Sequence, residues 1–258
     1  MSKKTLSVSL LIVFALSLVL AGCGGGQAPQ QAKVLKVGSD TAFAPFEFQD
    51  EKSKEYVGFD MDLIKAIGKQ IGYEVQIQGM GFDGLIPALE AGQIDAVISG
   101  MTITAERGQK VNFSKPYYTS GLSIVVKSDN TAIKEFKDLE GKNIAVQIGT
   151  TGAENAKKIK GAKIREFNTA PEAFLELKAG GVDAVINDLP VNEYYIAKMG
   201  SKDAKIVGQP LNAEDYGIAT AKKNTELAQK IDKALDDLKK NGEYDKIYEK
   251  WFGKKPAK

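Results

Sequence analysis

Two stretches of this chain repeat each other at a distance that few folds allow. Leu89-Glu90-Ala91-Gly92-Gln93-Ile94-Asp95-Ala96-Val97-Ile98-Ser99 is matched by Leu177-Lys178-Ala179-Gly180-Gly181-Val182-Asp183-Ala184-Val185-Ile186-Asn187, with every pair 88 residues apart. Each reads as a helix end, a glycine stop, a short buried strand and then a polar residue. That interval is well beyond the roughly 20–50 residues of solenoid repeats, and it suits two lobes of similar design. Ligands of open α/β sheets bind beyond the carboxyl ends of the strands. Ser99-Gly100 and Asn187-Asp188 are therefore expected to face one crevice from opposite sides. A helix-to-strand connector used twice would explain the shared Ala-Gly-x-x-Asp-Ala core, but not a polar residue after both strands.

The rest of the chain agrees with an α/β reading. Strands are expected at Val34–Gly38, Tyr73–Gln78, Ile94–Ser99, Ser123–Lys127, Asn143–Gln147, Lys163–Phe167, Asp183–Asn187 and Tyr216–Thr220. Between them, Phe59, Leu63, Ile67 and Ile71 form a single apolar stripe that predicts a helix over Phe59–Ile71. Asp83–Ala91 carries Pro87 early in a helical run, where proline is tolerated. Thr169-Ala170-Pro171-Glu172 reads as a capped helix start, and Thr225–Lys239 as a long amphipathic helix. Helices alternating with buried strands place the sheets between helical layers. A length of 258 residues accommodates one large domain or two moderate ones.

The amino terminus has its own pattern. Lys3 and Lys4 precede an uncharged apolar run from Leu6 to Leu20, followed by Ala21, Gly22 and Cys23, the only cysteine. A basic start, a short apolar stretch and small residues describe a secretory signal, and the run is short for a permanent span. The Leu-Ala-Gly-Cys stretch resembles a bacterial lipoprotein signal. That resemblance implies cleavage after Gly22 (signal 1–22), a diacylglyceryl group on Cys23, a flexible tether over 23–33 and a location on the outer face of the cell membrane. Cleavage removes two lysines and no acids from a total of 35 basic and 33 acidic residues, which leaves a formally neutral chain. No basic stripe remains for nucleic acid.

Three further motifs carry a resemblance of their own. Gly58-Phe59-Asp60-Met61-Asp62-Leu63, Gly100-Met101-Thr102-Ile103-Thr104-Ala105-Glu106-Arg107 and Trp251-Phe252-Gly253 are similar to the polar amino-acid-binding proteins of ABC importers, the bacterial extracellular solute-binding proteins of family 3. The likeness runs from about Leu35 to Gly253. Ser39 to Phe48 and Tyr216 to Ala219 look closest to glutamine-binding proteins. The resemblance implies a two-lobed periplasmic-binding-protein fold of type II, with the first lobe over 33–116 and 217–258 and the second over 121–212. Hinge strands would lie near 117–120 and 213–216, and a monomer would close on its solute and present it to a membrane permease.

Carried onto this chain, the resemblance places the α-carboxylate of an amino acid on Arg107, whose planar fork makes two parallel hydrogen bonds. Arg107 is one of only two arginines among 33 lysines; an ion pair with Glu106 or Asp83 is its structural alternative. Thr102 would add a hydroxyl and an N–H, and Gly100 a carbonyl for the ammonium, with Met101 between them. Thr150 and Thr151 open a helix whose free N–H groups suit an anion, or serve as plain caps. Asp188 would take the ammonium, or cap a helix starting at Pro190. Side-chain choice would rest on Asp40, Phe43, Phe82, Gln147, Asn187 and Asp60, with the two phenylalanines against the methylene stem. Glutamine-binding relatives have lysine at Gln147 and histidine at Asn187, whereas basic amino-acid binders usually have tyrosine at Phe43. Glutamine is ranked first and arginine or another basic amino acid second.

Rival classes fare less well. The sequence has no histidine and no cluster with zinc-ligand spacing, and lipidation would remove its one thiol. No cofactor or metal is expected. A carboxylate-dependent dehydratase on the same fold is the enzymatic alternative. A receptor's sensing module would need a signalling segment after Gly253, where only five residues follow.

Overall fold

The computed structural model describes residues 33–199 and 202–256. The signal, Cys23 and nearly all of the tether lie outside these residues. The first strand starts at Lys33, the last residue assigned to the tether.

Two sheets of matching design form the frame. The first has the order β5-β1-β6-β14-β7, from Tyr73–Gly79 (β5), Lys33–Ser39 (β1), Ala96–Val97 (β6), Ala219–Ala221 (β14) and Val111–Phe113 (β7). The second runs β10-β9-β11-β8-β12, from Lys163–Phe167 (β10), Asn143–Gln147 (β9), Ala184–Asp188 (β11), Tyr118–Lys127 (β8) and Ala204–Val207 (β12). In each, three parallel strands are followed by an antiparallel one. The molecule is therefore an α/β protein of two lobes.

The sequence echo occupies equivalent places in the two sheets. Ala96 pairs with Val37, and its counterpart Ala184 pairs with Ile144. The echoed aspartates also do the same work. Asp95 accepts from Lys36 N–H at 2.9 Å and returns a bond to Lys36 C=O at 2.8 Å. Asp183 accepts from Asn143 N–H at 2.8 Å and returns one to Asn143 C=O at 2.8 Å. Each aspartate fixes the register of the short strand it precedes. Gly92 and Gly180 end the preceding helices at φ of 73° and 80°, the left-handed region that glycine enters without steric cost.

Several elements differ from expectation. The run Tyr216–Thr220 is interrupted, so Ala213–Tyr216 (β13) and β14 are separate strands. Gly217 N–H turns to Met101 C=O at 3.0 Å and Ile218 N–H to the Ser114 hydroxyl at 2.9 Å, which takes both out of the ladder. Ile94–Ser99 shortens to β6, and past its end Gly100 N–H turns to side chains, described below. Asp83–Ala91 divides into a 3-10 turn at Phe82–Gly84 and a helix at Leu85–Glu90. Glu243–Phe252 forms a helix that the sequence reading did not anticipate. The helix Phe59–Ile71 (α1) and the Thr169 cap appear as expected, the latter as a capping box with Glu172 ahead of Ala170–Ala179.

Two of the recognisable motifs turn out to pack on each other. Phe59 meets Phe252 with ring centroids 5.2 Å apart, and Trp251 Nε1 donates to Asp62 at 2.7 Å. They anchor the last helix to α1. Between the sheets, β13 pairs antiparallel with the first half of β8, Tyr118 opposite Tyr216 and Gly121 opposite Ala213.

Candidate functional site

Four strands of the two sheets end at one place. β1 runs out into Asp40, β6 into Ser99 and Gly100, β9 ends on Gln147 and β11 on Asp188. A cavity there is lined by residues of both lobes: Phe43, Phe82, Ser99, Gly100, Thr102 and Arg107 from the first, Gln147, Thr150, Thr151 and Asp188 from the second. Nine of the thirteen residues expected to contact the solute thus lie on it. Asp40 stands directly behind, accepting a hydrogen bond from Gln147 Nε2. Met101 does not line the cavity; its side chain packs in the first lobe's core, 1% exposed. Asn187 does not line it either. Successive residues of a strand face opposite ways, so with Asp188 on the cavity Asn187 points elsewhere. Asp60 lies under the floor, accepting from Gly100 N–H at 2.9 Å and Tyr117 O–H at 2.7 Å.

Arg107 enters from a short helix, Ala105–Lys110, capped by Thr104. Neither of its alternative ion pairs forms. Its guanidinium donates to Thr102 C=O at 2.8 Å and, across the cleft, to Gly149 C=O at 2.9 Å, and it sits 5.3 Å from the centre of the Phe82 ring. Among the described residues no carboxylate is within ion-pair distance of it. Burial lowers its pKa, while Glu154, Glu214, Asp188 and Glu106 oppose that effect.

Asp188 supplies the opposite charge from the other lobe. Its Oδ1 is buried without a hydrogen-bond partner. Burial, reinforced by the like charge of Glu214, pushes its carboxyl up to about 8 against the pull of Tyr216 and Arg107. A buried carboxyl without a cation prefers to hold its proton. Asp40 is raised to about 6, first by burial and then by the like charges of Asp83 and Glu172, while its bond from Gln147 works the other way.

The hydroxyls behave differently from expectation. Thr150 caps the helix Thr151–Ala156, accepting from Ala153 N–H at 3.1 Å and donating to Gln147 C=O at 2.8 Å. The hydroxyls of Thr102 and Thr151 both donate to Glu214, at 2.9 and 2.7 Å. Once these bonds are made, none of the three has its proton free for a ligand. Ser99 is a cavity residue that was read only as facing the crevice. Its hydroxyl accepts from Asp40 N–H at 2.9 Å and donates to Glu47 at 2.8 Å, setting the loop that carries Asp40. Glu214 was missed entirely; its only signal was an acid two residues before Tyr216, in a stretch with no apolar pattern.

A two-lobed α/β molecule with opposite charges facing one cavity from its two halves defines a solute-binding protein. The chain belongs to the bacterial extracellular solute-binding proteins, family 3, whose profile matches residues 35–254. It is similar to the arginine-binding extracellular protein ArtP of Bacillus subtilis, 36% identical over 249 residues, 94% of this chain and 96% of that one. It is also similar to the ABC transporter glutamine-binding protein GlnH of the same organism, 35% identical over 277 residues, 99% of each chain. An ancestral arginine-binding protein, with structures bound to arginine and to glutamine, superposes with a TM-score of 0.83 at 50% identity in both forms. The arginine-bound form covers 85% of this chain and 98% of its own.

Proposed function

We propose that this protein captures a free amino acid outside the cytoplasm for an ABC importer, and that its preferred solute is arginine or a similar basic amino acid. The α-carboxylate would take Arg107 and backbone N–H groups at the opening of Thr151–Ala156. The ammonium would take Asp188, whose buried oxygen lacks a partner. Because the two groups belong to different lobes, only the closed form engages both ends of the zwitterion, and the solute shifts the population toward closure. A Kd on the order of 1 μM, about −8 kcal/mol, is within reach of such contacts.

The observation that carries the choice of solute is the donor and acceptor balance around Asp40. Asp83 and Glu172 add like charge there, and Gln147 already spends its Nε2 on Asp40 and on Asn168 C=O at 3.0 Å. What remains is acceptors: the Asp40 carboxylate and the Gln147 carbonyl. A guanidinium offers donors only, whereas the carboxamide oxygen of glutamine would find no donor unless the Gln147 bonds broke. Geometry thus favours the solute that the sequence ranked second. Glutamine is the other reading, supported by the relative that binds both. Calorimetry with arginine, lysine and glutamine decides between them. Asp40→Asn should weaken arginine by about tenfold or more and glutamine less. Tight glutamine binding with no arginine binding would refute the choice.

Lipid anchoring at Cys23 belongs to the same proposal. Labelling with a radioactive fatty acid should be lost in Cys23→Ser, and unchanged labelling would refute it. No chemistry is assigned to the cavity. Its charged groups match a zwitterion, and a bound amino acid should be recovered intact by NMR, whereas turnover would favour the dehydratase.

A further inference from the structure

Glu214 is 3% exposed and carries an acid into the space where the two lobes meet, with no cation within ion-pair distance among the described residues. It sits on β13, opposite Ser120 in the two-stranded connection between the sheets. One oxygen, Oε2, takes both threonine hydroxyls, one from each lobe, and Oε1 lies 3.4 Å from Asn212 Nδ2. These two bonds differ in kind. Thr102 is held to β13 by other means, through its own bridge to Tyr216 and through Ile103 N–H to Asp215 C=O at 2.8 Å. Its bond to Glu214 therefore stays on one side of the cleft. Thr151 opens a helix of the second lobe, next to β9, and its bond to Glu214 links that lobe to the Thr102 side.

We propose that Glu214 is a positioning residue that latches the closed state, with the Thr151 hydroxyl as the part that docks and releases. A hydroxyl bonded to a carboxylate is worth more than one bonded to a neutral acceptor, and here the acceptor already stands in place before the lobes meet. The latch also turns the Thr102 and Thr151 hydroxyls away from the solute. The solute's carboxylate is then read by Arg107 and backbone N–H groups, and the hydroxyls add affinity only by stabilising closure. The residue acts through the threonines and not by touching the solute. This inference rests on the two-lobed solute-binding reading for its kinetic consequences but not for its structural ones.

The test uses Thr151→Val, Glu214→Gln and the double variant in the full chain carrying Cys23→Ser. Dyes are placed on cysteines substituted for Lys69 and Lys160, which are exposed. Single-molecule energy transfer without solute reports the closed fraction directly. Each single variant should lower it, and the double variant should lower it no further than the more strongly affected single variant. With arginine present, dissociation should speed up by about fivefold to fiftyfold in each single variant, while association changes less than about twofold. Additive effects in the double variant, or an unchanged closed fraction, would overturn the latch. Lack of arginine or glutamine binding by the parent protein would instead defeat the amino-acid reading, leaving the closed fraction to judge Glu214.

Discussion

Arg107 keeps its charge in a buried place by bonding only neutral carbonyls, one on its own lobe and one across the cleft. A group held that way is ready to take an anion, and removing it deletes the only positive charge among the described residues that line the cavity. Arg107→Ala should weaken every amino acid by about a hundredfold or more, measured by calorimetry, while the unliganded melting temperature moves only a few degrees. Asp188 leads to a sharper prediction. With its carboxyl at about 8 in the unliganded cavity, it is largely protonated at pH 7. Docking an ammonium against it favours the ionised form, so binding must release a proton. Affinity should rise by up to about tenfold per pH unit between roughly pH 6 and 8 and flatten above that. Calorimetry in buffers of different ionisation enthalpy should show release approaching one proton at pH 7, and Asp188→Asn should abolish the release. Binding without proton release would remove Asp188 from the ammonium.

At the scale of elements, the turn after β9 brings the backbones of the two lobes close together. Gly149 has φ of 75°, and a Cβ built on it would stand 3.0 Å from Asp83 Cβ and 3.2 Å from Asp83 Cα, on the opposite lobe. An alanine there meets backbone on closing, besides its own left-handed strain of about 1–3 kcal/mol. Gly149→Ala should therefore weaken solute binding by about tenfold or more. Asn224→Ala, which removes the cap of Thr225–Asn241, a helix with no residue on the cavity, serves as a contrast. It should cost about 1 kcal/mol of stability and leave affinity alone, as read from melting curves and calorimetry on the same samples. These elements also show what a sequence discloses. β9, α1 and the Thr169 cap were legible because each is a local pattern: an apolar run, a fourfold stripe, a threonine three residues before a glutamate. The two- and three-residue strands Ala42–Phe43, Glu47–Gln49 and Tyr56–Val57 have no such pattern, since tertiary pairing alone makes them strands. The same division holds at the cavity. Arg107 and Asp188 came from motif and echo, whereas the facing of Asn187 and the part played by Glu214 depend on strand parity and on partners 63 and 112 residues away.

At the scale of the whole molecule, acids are buried within the first lobe and where the two lobes meet, and this fixes how stability answers to pH. Asp40 and Asp60 are raised to about 6 and Asp188 to about 8, in each case first by burial. Glu47 is raised as well, by burial and then by the charge of Asp60. In the unfolded chain all four ionise near pH 4, so between roughly pH 4 and 8 the folded protein holds protons that the unfolded chain has released. Stability must then fall as pH rises across that window. Exposed acids with lowered values, such as Asp50, Asp138 and Asp236, act below about pH 4 and do not offset this. A bound zwitterion changes the balance at Asp188, because its ammonium stabilises the ionised form. The unliganded melting temperature should decline from pH 5 to 8, and the increase given by saturating solute should grow over the same interval. A melting temperature that climbs with pH, or a solute-induced shift constant from pH 5 to 8, would mean that these carboxyls are not protonated in the closed molecule, and the ammonium site would have to be sought elsewhere.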